Sequence, residues 1–176
     1  MNIFKKRVST TEISAQMYEN IKMVAGGWDD YLNLIENQCA DLHQQQFGRP
    51  MSKLDRADII FKEEMLLALA ATYCIFFEMA IADGALRKMF GDSLRYYLSQ
   101  FNAFPPVGLL DVRLNAYKNA LDKQGVALGF TMAGFYSSRA VKRSMLSDSV
   151  ALASYCMMTT SGGAFLQELS QFKVVK

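Results

Sequence analysis

Apolar residues recur at steps of three and four through most of this chain, the spacing of helices with one buried face. Ile13, Met17, Ile21 and Val24 form the first such stripe. Ser9-Thr10-Thr11-Glu12 stands ahead of it as a capping box, in which a hydroxyl and a carboxylate satisfy free amides of the first turn, and Gly26-Gly27 closes it. Trp28, Leu32, Ile35, Cys39 and Leu42 give a second, narrower stripe. Asp29 and Asp30 fall in its first turn, where the helix dipole favours negative charge. The pattern predicts an antiparallel helical hairpin, then a polar linker over Gln44–Pro50.

The pattern then changes. Met65–Ala82 reads MLLALAATYCIFFEMAIA and is apolar on nearly every side, with Glu78 its only charge. A helix of that kind spans a membrane or fills the middle of a bundle. The run has about the minimum length for a span. A carboxylate near mid-bilayer costs roughly 2.5–3.5 kcal/mol, and Glu63, Glu64 and Asp83 crowd its ends. The amphipathic segments around it also need an apolar partner. A central bundle helix over about 55–83 follows, started near Ser52 and Asp55 and stopped at Asp83-Gly84.

Beyond it, Gly91-Asp92-Ser93 offers a cap for a short helix carrying Leu94, Tyr97, Leu98 and Phe101, and Phe104-Pro105-Pro106 breaks the chain. Leu110, Leu114, Tyr117 and Leu121 mark a fifth helix closed by Gly125. Val126–Tyr136 carries two signals. Alternating Val126, Leu128, Phe130 and Met132 has the period of a strand, whereas Gly125, Gly129 and Ala133 make a small-residue stripe suited to tight helix packing. With no partner strand apparent, a helix is predicted. The last segment starts at Ser147-Asp148, and Thr160–Gly163 (TSGG) predicts a break before a short final helix. The expected fold is all-α: a single-domain bundle of about seven helices over 9–176, preceded by a short basic tail, 1–8.

Composition sharpens this in two places. The 176 residues are 51% hydrophobic with only three prolines, which suits one well-buried helical domain and argues against disorder. Charge is uneven beneath a net +2: residues 1–8 carry +3, 9–85 carry −7 and 86–176 carry +6. An acidic half joined to a basic half attracts itself, within one molecule or between two. Eleven methionines and 12 phenylalanines add apolar surface that a dimer face could bury.

Catalytic chemistry finds little footing. Cys39, Cys74 and Cys156 are widely spaced and odd in number, as expected of free thiols in a reducing, cytoplasmic setting, and His43 is the only histidine. There is no CxxC pair, HExxH, phosphate loop or G-x-S-x-G elbow, so no metal, cofactor or catalytic residue is assigned. Glu64 and Glu78 return to one helix face but lie roughly 21 Å apart along the axis, too far to share a site. Two candidate sites are retained. Glu78, beside Tyr96 and Tyr97, could orient a ligand in an apolar pocket against the central helix; Arg139, Lys142 and Arg143 could form a basic contact face. The expected function is a non-enzymatic, self-associating interaction or adaptor module, with a small-molecule binder as the alternative. Partners are a second copy, another protein or an apolar small molecule, and neither nucleic acid nor membrane is expected.

Overall fold

A computed structural model of the chain describes residues 5–121, 127–140 and 147–176. Helix α1 (Thr10–Gly26) begins as its capping box dictates. The Ser9 hydroxyl accepts from the Glu12 amide at 3.2 Å, and the Glu12 carboxylate accepts from the Ser9 amide at 2.7 Å. Those bonds hold the Glu12 carboxyl below its ordinary range. Helix α2 (Trp28–Phe47) follows after one glycine and runs five residues beyond Leu42, to the left-handed Gly48 at φ 66°. Half of the expected polar linker is therefore helix. Its buried stripe is Trp28, Leu32, Ile35, Cys39 and His43; Leu42 is exposed, because the next four-residue step from Cys39 lands on His43.

Helix α3 (Ile59–Ala80) starts later than its pattern suggested. Asp58, not Ser52 or Asp55, is the cap, accepting from the Phe61 amide at 3.0 Å and from the Tyr136 hydroxyl at 2.5 Å. The segment ahead of it is fixed by Arg56, which donates to Glu36 at 2.7 Å and to Asn33 at 2.6 Å. Burial of α3 is nearly continuous from Glu64 to Ile75, and it packs against α1, α4, α5, α6 and α7. Even so, no helix among the described residues is long and apolar enough to cross a membrane.

Asp83 caps the next helix instead of merely ending α3, so α4 (Gly84–Ser99) begins at once and runs through Gly91. An added Cβ at Gly91 would stand 2.7 Å from an Arg95 guanidinium nitrogen, so glycine there leaves room for that side chain. Helix α4 lies on α1, with the Ser14 hydroxyl donating to the Phe90 carbonyl at 3.1 Å and Tyr18 stacked on Tyr97 at 5.6 Å. Helix α5 covers Gly108–Leu121, and its expected closing glycine, Gly125, lies outside the described residues.

The ambiguous segment is helix α6 (Ala127–Arg139). Its small residue is needed where it crosses α7 (Ser147–Leu169): a Cβ on Gly129 would sit 1.9 Å from the Ala151 carbonyl oxygen. Helix α7 passes through TSGG without a break. Two glycines cost roughly 1 kcal/mol each in a helix interior, but Gly162 lies against the Phe76 ring, which a Cβ would meet at 2.5 Å. Close packing decides that stretch over propensity.

The basic tail is corrected too. Lys6–Ser9 forms strand β1, paired in parallel with β2 (Phe172–Val175), Arg7 opposite Lys173 and Val8 opposite Val174. Seven helices and this one ribbon account for the regular structure among the described residues.

Candidate functional site

Part of the charge asymmetry is matched inside the molecule. Glu64, fully buried on α3, accepts from Arg113 of α5 at 3.0 and 2.7 Å and from Arg139 of α6 at 2.7 Å. Arg139 also reaches Glu63 at 2.5 Å. Arg113 is itself buried, with its guanidinium 3.9 Å from the centre of the Phe135 ring. The Tyr117 hydroxyl is buried beside this cluster with no hydrogen-bond partner among the described residues. Burial and the nearby Glu64 charge push its pKa up, so it stays protonated. Buried charges persist only when paired and hydrogen-bonded, and Glu64 has three such bonds. Nothing in the sequence reading singled it out. Arg113 stands between Leu110, Leu114 and Tyr117 on the α5 stripe, an apolar position that should have signalled a buried partner.

Glu78 is placed differently. It pairs with Lys118 at 2.6 Å, and both side chains are about one-third exposed (35% and 37%). Glu78 and Arg87 are shared by two adjoining hollows of about 340 and 470 Å3 between α3, α4 and α5. Neither Tyr96 nor Tyr97 lines them: Tyr97 stacks on Tyr18 and Tyr96 is exposed. The hollows are charged, and their ions are already matched, Lys88 with Asp92 and Arg95 with Asp111 as well as Lys118 with Glu78. Arg87 donates to the Ile81 carbonyl at 2.5 Å. Cys74 at their edge is buried, which pushes its thiol up to about 12. Of the expected basic face, Arg139 is committed to Glu63 and Glu64, and Lys142 and Arg143 lie outside the described residues.

His43, the sole histidine, is buried. Its Nδ1 is 2.9 Å from the Arg49 carbonyl, which can only accept, so Nδ1 carries the proton and Nε2 accepts from the Ser149 hydroxyl at 3.3 Å. The Ser149 oxygen accepts in turn from the Ser52 amide at 3.1 Å. With 1% and 2% exposure, this pair fastens the segment after α2 to α7 and meets no substrate. All three cysteines are free and buried. Among the described residues no group of three or more His, Cys, Asp or Glu is placed to hold a metal ion.

A further cavity is separate from the hollows at Glu78. It lies between α1, α2, α3 and α7, holds about 260 Å3, and is half open to solvent. Its walls include Met17, Ile35, Tyr73, Met157 and Phe165, with Tyr31, Leu34 and Glu168 toward the outside. Tyr73 and Phe165 meet edge to face at 5.2 Å. The Tyr31 hydroxyl is buried, with the Ser161 side chain as its polar neighbour. Burial pushes the Tyr31 and Tyr73 pKa values up, so both hydroxyls remain donors at neutral pH. The cavity is smaller than the hollows at Glu78, but its carboxylate, Glu168, has no basic partner among the described residues.

No family model, no curated protein and no solved structure matches this chain.

Proposed function

We propose that the protein binds a small molecule in the cavity between α1, α2, α3 and α7. The observation that carries this reading is a largely apolar, half-open cavity whose one carboxylate, Glu168, pairs with no lysine or arginine among the described residues. Ligand sites pair an apolar lining with a few directed polar groups, over a range of about 300–1,000 Å3. This cavity is slightly below that range, which favours a compact ligand. The cavity of this proposal lies beside α3 on the side of Tyr73, away from Glu78.

A fragment screen by ligand-observed NMR and thermal shift tests the proposal. Fragments that raise the melting temperature of the native chain should fail with Ala164→Trp, which fills the cavity from an exposed position on α7. A ligand at 100 times its Kd stabilises by about 2.7 kcal/mol. A screen in which no fragment separates the two proteins refutes the reading.

Charge supports a second reading, the self-associating interaction module. Helix α2 carries Asp29, Asp30, Glu36 and Asp41 and no lysine or arginine. Lys6, Arg7 and Lys173 on the ribbon form no ion pair among the described residues. A dimer joined through these surfaces dissociates as salt rises. The large exposed apolar side chains give less support, being spread from Met23 on α1 to Phe130 on α6. Light scattering after size exclusion at low and high salt decides it: a monomer under both conditions ends this reading.

A further inference from the structure

We infer that the ligand of this cavity is a compact organic cation, an alkylammonium or quaternary ammonium group on a small apolar body. The inference rests on the small-molecule reading above and adds the charge of the molecule. Three aromatic side chains, Tyr31, Tyr73 and Phe165, line the cavity, and Glu168 is the only charged residue among its walls; no lysine, arginine or histidine is present there. Aromatic rings beside a carboxylate form the surroundings in which ammonium groups are bound, because the ring quadrupole attracts a cation without the desolvation demands of a second full charge. An anion would face Glu168 with nothing to balance it.

Glu168 is held and yet uncommitted. Its Oε1 accepts from the Gln16 amide, which orients the carboxylate, while no lysine or arginine pairs with it among the described residues. Glu168 and Tyr73 line the same cavity, so the acid and the aromatic wall act on one space. The cavity also runs along the last turns of α7, from Met157 to Glu168, and that helix ends at Leu169. The C-terminal end of a helix carries partial negative charge and favours a cation.

Three probes of nearly one shape separate charge from shape: choline, 3,3-dimethyl-1-butanol and 3,3-dimethylbutanoate. Calorimetric titration of the full chain should rank choline first, about tenfold tighter than the neutral alcohol, with the carboxylate weakest. Glu168→Gln should reduce choline affinity about tenfold and leave the alcohol unchanged, and Ala164→Trp should abolish both. If the alcohol binds as well as choline and Ala164→Trp abolishes it, the cation assignment is overturned while the cavity reading survives. If choline binds equally to Ala164→Trp, its site is elsewhere and the assignment is likewise overturned. Binding of none of the three overturns the assignment too, and the fragment screen then decides the cavity reading separately.

Discussion

Glu64 and Glu78 stand on one helix, and each meets a basic side chain of α5, yet they are held in opposite ways. Glu64 has no contact with solvent and binds two arginines through three hydrogen bonds. Glu78 is about one-third exposed and binds one lysine. The difference follows from the cost of desolvation. At the rim water supplies whatever the lysine does not, so a single flexible partner suffices. Inside, every lone pair left unmet costs free energy, so the partners are arginines, whose planar forks meet a carboxylate with paired bonds. The isolated charge in an apolar run attracts attention in a sequence, but it is the less consequential of the two.

The largest expected effect breaks the buried end. Glu64→Ala strands Arg113 without a counter-charge and should cost about 3–5 kcal/mol in urea unfolding. A loss below about 1 kcal/mol would mean that water reaches the cluster. Next comes the helix that carries the second arginine. Gly129→Ala puts a Cβ into the Ala151 carbonyl, forces α6 away from α7, and should cost about 1–3 kcal/mol. In double-mutant cycles it should couple to Arg139→Met and simply add to Glu78→Gln. Replacing both partners sharpens the contrast: Glu64→Met with Arg113→Met removes the buried charges together and should lie within about 1 kcal/mol of the native chain, or above it. Glu78→Gln should have the smallest effect, under about 0.5 kcal/mol, shrinking further at high salt.

Cys74 reports on both ends from between them. Burial pushes its thiol up to about 12, so at pH 8 it stays protonated and unreactive toward a disulfide reagent until the helix opens. Glu64→Ala should speed its labelling, and Glu78→Gln should not.

The same contrast explains what was legible in the sequence. Helices with local starts and a clear stripe were readable: α1 through Ser9 and Glu12, and the lower part of α2 through Trp28 to Cys39. The small-residue spacing of α6 was readable as well, since Gly129 does lie against α7. Errors arose where a distant contact overrules a local signal. Gly162 looks like a break but sits inside α7 against Phe76, and Gly91 looks like a helix start but lies inside α4, whose cap is Asp83. Glu64 looked like part of the charged flank of an apolar run, because its partners are 49 and 75 residues away. The cavity was hidden for the same reason: Tyr31, Tyr73 and Glu168 belong to three different helices, and no spacing links them. Tyr96 and Tyr97 were grouped with Glu78, but α4 turns Tyr97 toward α1 and leaves Tyr96 exposed.

The β1–β2 ribbon has a consequence for the order in which the molecule opens. It joins Lys6 to Phe172 and Ser9 to Val175, so its formation closes a loop of almost the whole chain for four residues of pairing. Such a closure has a high entropic cost relative to its few hydrogen bonds, and Arg7 opposite Lys173 adds repulsion. The ribbon is therefore the last piece to zip and the first to fray. Amides of Arg7 and Val174 should exchange with deuterium long before those of Leu66 and Leu67, whose release requires the bundle itself to unfold. The molecule breathes at its seam while its interior stays shut.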